Sequence, residues 1–197
     1  EAVLIEDPDL LSARLCSRAA RDLAGHINDK KNQLRSLLRA YNPALSHVFA
    51  GAKFHHPAVY ALVQHYVLPQ EFVAVGPQAI AAILSAHCRS AFGQDEAQQL
   101  VALCRQTLSH PIEPKVIRYR VQQLTTDILT TQQHKEHFLK TGYGLIEGRL
   151  ETQLLRTATG AGVSNTLALV SEVGDIHRFP DGEHLASFLG LTTSKHI

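Results

Sequence analysis

The sequence predicts an all-α fold, and three observations carry that prediction. Two long stretches, about Asp9 to Tyr41 and Pro114 to Gly144, place apolar residues alternately three and four apart. The stretches between and after them read as shorter helices punctuated by proline and glycine. Nowhere does the chain show the apolar-polar alternation of a half-buried strand. With 197 residues, 45% of them hydrophobic and 19% charged, it can bury one sizeable core or two small ones.

The first helix follows an acidic start, EDPD, and stops at the YNP of Tyr41 to Pro43, because the residue before a proline is pushed out of the α region. Ala13, Cys16, Ala20, Leu23, Ile27, Lys30, Leu34, Leu37 and Tyr41 form the seam of a coiled coil or a long hairpin, which Lys30 interrupts. Residues 51–113 hold shorter helices: HPAVYALVQHYVL, GPQAIAAILSAHC with Pro77 suited to a first turn, and QDEAQQLVALCRQTLSHP. A second long helix after Pro114 carries Ile117, Val121, Leu124, Ile128, Thr131, Lys135 and Phe138, and the two glycines of Thr141 to Gly144 read as its halt or kink. Two such stripes can pack on each other or on copies of themselves. The segments are thus a long basic coiled-coil helix (1–50), a short-helix bundle (51–113), a second coiled-coil helix (114–143) and a helix-hairpin-helix-like C-terminal domain (144–197).

In that last segment Leu145, Ile146, Leu150, Leu154 and Leu155 give one apolar helical face and Val163, Leu167, Val170 and Val173 another, with Gly160 and Gly162 in the turn between. Gly160 can take a positive φ, and Gly162 leaves room for a backbone or a phosphate at the start of the next helix. The helix then opens with Val163, Ser164, Asn165 and Thr166. A helix start carries about half a unit of positive charge and unpaired amides, which suits a phosphate. The alternative is a plain corner, and Ala161 stands where a helix-hairpin-helix motif usually has a larger aliphatic residue.

The continuation, SEVGDIHRFPDGEHLASFLGLTTSK, resembles the C-terminal domain of the DEDD-type insertion-element transposases, the bridge-RNA-guided recombinases. Gly160, Gly162, Glu172, Gly174, Asp175, Ile176, Phe179, Leu185, Ala186, Gly190 and Leu191 stand at that family's GxG turn, ExGDIxxF phrase and QLAAYxGL-type helix. The basic helix with KNQLRSLL and the second long helix look like its linker and coiled-coil region. The resemblance implies a parent that cleaves and rejoins DNA strands at insertion-element ends through a serine nucleophile and Mg2+, binding DNA and a structured guide RNA, and that self-associates through the heptad seams as a dimer or tetramer, since strand exchange needs several subunits. It places the metal-binding acidic residues before Glu1 and the serine, in a Ser-Gly pair, beyond Ile197. Ser194 lacks the glycine and does not take that role, so neither catalytic residues nor a metal are expected in this stretch, which reads as an excised piece.

Charge distribution supports the same reading. Net charge is only +1, yet Arg14, Arg18, Arg21, Lys30, Lys31, Arg35 and Arg39 crowd the first helix against Asp22 and Asp29. Taking Ala13 as position a, all but Lys30 fall on the outward b, e and f positions, a stripe that either tracks a phosphate backbone or is a solvated face. KVIRYR, Lys115 to Arg120, is a smaller candidate. Three cysteines, Cys16, Cys88 and Cys104, at no metal-ligand spacing suggest reduced thiols in a cytoplasmic protein. His134 with His137, and His55 with His56, lack further ligands and read as unliganded, while Asp175 reads as a helix cap. No apolar run approaches the ~20 residues of a membrane span.

Overall fold

The computed structural model describes residues 7–88, 92–108 and 112–190. Among them it has only helices: α1 (Pro8–Tyr41), α2 (Pro43–Val48), a 3-10 turn (Gly51–His55), α3 (Pro57–His65), α4 (Pro69–Ala86), α5 (Gln94–Gln106), α6 (Pro114–Gly144), α7 (Leu150–Arg156), α8 (Val163–Val173), a second 3-10 turn (Ile176–Arg178) and α9 (Gly182–Phe188). Leu191 and Ser194 lie outside the described residues. Five helices open on a proline, whose missing N–H and fixed φ suit the first helical position. The helical start anticipated at Pro77 is real, since Gly76, at φ 77° and ψ 167°, breaks α4 immediately before it.

The chain divides into two compact units, one of Glu1–Arg21 with Lys135–Ile197, the other Asp22–His134. In the second unit the seam residues Ile27 and Leu34 of α1 share a core with Ile117, Val121, Leu124 and Ile128 of α6. Lys30 bonds Asp127 at 3.0 Å and Arg120 bonds Gln33 at 3.2 Å, a pairing order that makes this stretch antiparallel. Lys30 interrupts the seam because a carboxylate on the opposite helix receives it. The seams meet within one chain, and Phe49, Phe54 and Phe72, all fully buried, widen the contact into a core larger than a two-helix seam. At the corner between α3 and α4, Glu71 accepts the Val67 and Leu68 amides at 2.8 and 3.0 Å and also receives Arg118 of α6. Cys104 is buried and its thiol is pushed up to about 11 by that burial, which makes it an inert core residue.

In the first unit, Leu10, Ala13, Ile146, Leu167 and Val170 form a smaller core. Gly142 does not halt α6. It is a helical residue under Cys16 of α1 and Leu167 of α8, and a Cβ there would stand 2.7 Å from the Cys16 Cβ and 3.0 Å from a Leu167 methyl. Three helices close on one another because this position has no side chain. The apolar face expected on α7 is only half used: Leu155 packs inward, while Leu150 and Leu154 are 66% and 61% exposed.

Gly142→Ala is expected to destabilise this unit by about 1–3 kcal/mol through overpacking. Gly25→Ala, on an exposed stretch of α1 where a Cβ meets nothing within 4 Å, is expected to stabilise by about 0.5–1 kcal/mol. Urea denaturation followed by circular dichroism measures both, and equal midpoints for the two variants would contradict this packing.

Candidate nucleic-acid interface

Between Arg156 and Val163 the chain turns through the two glycines. Gly160 has φ +87°, where an L side chain is strained, as the sequence predicts. Gly162 is extended, at φ −67° and ψ 169°, and a Cβ there would meet nothing within 4 Å. The turn's carbonyls are taken by protein donors: Arg156 Nη1 donates to the Ala161 oxygen at 2.8 Å, and Asn165 Nδ2 to the Gly160 oxygen at 3.2 Å. The first bond of α8 runs from the Thr166 amide to the Gly162 oxygen at 3.0 Å. The amides of Val163, Ser164 and Asn165 therefore precede the helical ladder. Among the described residues no side chain caps them, and all three residues are exposed. Gly160, Gly162, Ser164 and Asn165 thus come together at one open helix start, with the Asn165 side chain turned back as a brace. Arg156 is a second brace that the sequence reading overlooked, although its place four residues before Gly160 could have suggested it.

The α1 cations divide differently from the predicted outward stripe. Arg14 has a side chain only 18% exposed, because its Nε donates to the Ser171 oxygen at 2.8 Å and lies beside Glu172. Arg18 grips the same carboxylate with two bonds, Nε to Oε1 at 2.9 Å and Nη2 to Oε2 at 2.8 Å. These two arginines hold the carboxyl end of α8. Bonding to Arg18, with the nearby charges of Arg18, Arg14 and Arg21, keeps the Glu172 carboxyl below its ordinary range despite partial burial. Arg21 and Arg39 are exposed, Lys31 is half-buried, and Arg35 is partly engaged by the 3-10 turn Gly51–His55.

Of the histidines, His134 and His137 are exposed as expected. His56 caps α3, accepting the Ala58 amide, and His55 is bonded to Arg35 and Tyr60, so this pair has structural partners. Asp175 caps its 3-10 turn by accepting the His177 amide at 2.9 Å. Among the described residues no three His, Cys, Asp or Glu side chains stand together in a metal-binding group. The ion implied by the resemblance finds no ligand set among these residues. In the same unit as the glycine turn, an apolar groove of about 240 Å³ runs between α7, α8 and α9, lined by Leu154, Leu155, Leu169, Val173, Leu185 and Leu189. No single helix among the described residues is long and apolar enough to cross a membrane, although the bent pair α3 and α4 passes by length and composition.

Residues 152–197 match the family model described as the transposase IS116/IS110/IS902 family. Neither a curated protein nor a solved structure matches the chain. The matched residues contain the glycine turn, all of α8 and Glu172.

Because the folded-state pKa of Glu172 is depressed, its ion pairs stabilise fully above the unfolded value near 4.5 and lose that contribution as pH falls through the lower folded value. Glu172→Gln is expected to melt below the wild type at neutral pH, with the two melting curves converging in acid. Thermal melts across pH check this, and a difference that does not change with pH would rule out the ion pairs as its source.

Proposed function

We propose that this chain is a nucleic-acid-holding portion of an insertion-element transposase, and that the start of α8 grips a phosphate of the bound strand. One observation carries the reading: inside the residues that match the transposase family, three consecutive backbone amides lie exposed and uncapped at a helix start. The partial positive charge of that end and its aligned donors suit a phosphate oxygen. Gly162 keeps the approach clear, while Asn165 and Arg156 occupy the carbonyls that would otherwise face the anion. Arg21, Lys31, Arg35 and Arg39 add a salt-dependent, sequence-independent contribution. The bound strands are DNA ends and a structured guide RNA. Strand cleavage and rejoining, with the serine and Mg2+, belong to parts of the parent outside this sequence.

The second reading, an all-α interaction module that oligomerises, is favoured by the apolar groove and the exposed Leu150 and Leu154. The seams of α1 and α6 already meet within the second unit, so under that reading assembly would use the α7 face.

Ser164→Asp separates the readings. An aspartate in the first turn of α8 favours the helix by about 0.3–1 kcal/mol while repelling a phosphate. The expected result is an unchanged or raised melting point with nucleic-acid affinity reduced several-fold, measured by fluorescence anisotropy with a DNA duplex and an RNA hairpin. Undiminished affinity for both would remove the α8 grip.

A further inference from the structure

Residues 30–70 contain five Lys and Arg and not one Asp or Glu, in a chain whose net charge is only +1. This stretch builds the end of α1, α2, the 3-10 turn Gly51–His55 and α3, all within Asp22–His134 and all outside the family match. Lys30 is neutralised by Asp127. The other four cations, Lys31, Arg35, Arg39 and Lys53, have no carboxylate partner among the described residues, and Arg39 and Lys53 are exposed.

Arg35 is held in one orientation. Its Nη2 donates to the Gly51 oxygen at 3.2 Å and lies 3.0 Å from His55 Nε2, and its guanidinium stands 5.5 Å from the centre of the Phe54 ring. Arginine only donates, so His55 Nε2 is the acceptor. The imidazole proton then sits on Nδ1, which donates to Tyr60 Oη at 3.0 Å. Burial above all, with the charges of Arg35 and Lys31, lowers His55 to about 4, so the ring is neutral at physiological pH. Tyr60 is buried and fixes the ring from behind. Among the described residues neither Nε nor Nη1 of Arg35 has an acceptor, so these N–H groups remain available as separate donors, although both edges of the guanidinium share the occupied Nη2.

A positively charged stretch without acids is commonly a solvated surface. Here the arginine is aimed by a carbonyl, an imidazole and an aromatic ring, an ordering of a long side chain that solvation alone does not require. We propose that Lys31, Arg35, Arg39 and Lys53 form a second phosphodiester-binding surface, with His55 as the positioning residue that presents Arg35. The surface rests on the nucleic-acid reading above for its class of partner, but the α8 start lies in the other unit. Lys53 is absent from the predicted stripe because a lone lysine in a short turn has no periodic signal.

The test uses the whole chain, titrated at rising salt with a DNA duplex and with an RNA hairpin of matched stem length. Lys31→Gln with Lys53→Gln is expected to reduce the slope of log affinity against log salt by about 1 per residue. Arg105→Gln, an exposed cation of α5 in the same unit but outside the stretch, is expected to leave it unchanged. The probe whose slope falls identifies the strand bound. His55→Phe removes the acceptor and is expected to reduce the slope by about 1, whereas His55→Gln keeps a side-chain oxygen for Arg35 and restores it. An unchanged slope in the double lysine variant overturns the surface, as does an equal fall in Arg105→Gln. Lower melting points in both His55 variants without a change of slope overturn the positioning role. If Ser164→Asp alone weakens binding, the α8 grip stands and this surface falls. If the lysine variants alone weaken it, the reverse holds, and a wild-type chain that binds neither probe overturns both.

Discussion

Helix α8 is fixed at its carboxyl end, and the availability of its amino end follows from that. Arg14 and Arg18 converge on the Ser171 carbonyl and the Glu172 carboxylate, at the end of the helix where its dipole favours cations. The bidentate arrangement of Arg18 defines direction as well as attraction. With the helix, roughly 16 Å long, pinned there and pressed by Leu167 against Gly142, its first turn can remain uncapped without being needed for packing. An N-terminus with no partner is tolerable only when water or a ligand can reach it, and Val163, Ser164 and Asn165 are exposed.

The same pairing shows why counting charges along α1 misleads. A guanidinium that grips a carboxylate contributes little field beyond the pair, and exposed charges farther away than about 8–10 Å are screened at physiological salt. Arg14, Arg18 and Lys30 are neutralised in this way. What remains is concentrated where acids are missing, around the 3-10 turn Gly51–His55. Net charge hides this, because the excess of base over residues 30–70 is offset elsewhere in the chain.

Much of the fold was legible because its determinants are local. The 3.6-residue period, proline at first helical positions and asparagine-proline as a stop set α1 and α6 to within a residue of their observed ends. The open glycine turn and the Asp175 cap were legible for the same reason. Whatever depends on contacts distant in sequence was not. Gly142 reads as a breaker until Cys16 and Leu167 are placed on it. Arg14 and Arg18 read as outward until Glu172, 154 residues beyond Arg18, is brought to them. The pattern that assigned Leu150 and Leu154 to an inner face could not register that seven residues give α7 only two turns, with one side left open.

The two glycines of the turn illustrate how a position that requires glycine differs from one that merely accepts it. Gly160 is explained entirely by backbone: at φ +87° a side chain would be strained whatever surrounds it, so its presence carries no information about a bound molecule. Gly162 has no such explanation. Its φ and ψ suit any residue, and no protein atom lies near where a Cβ would stand. The same is true of Gly25, so an open side does not by itself call for a ligand. Under the proposed reading, the open side of Gly162 is where a phosphate would approach the amides of Val163, Ser164 and Asn165.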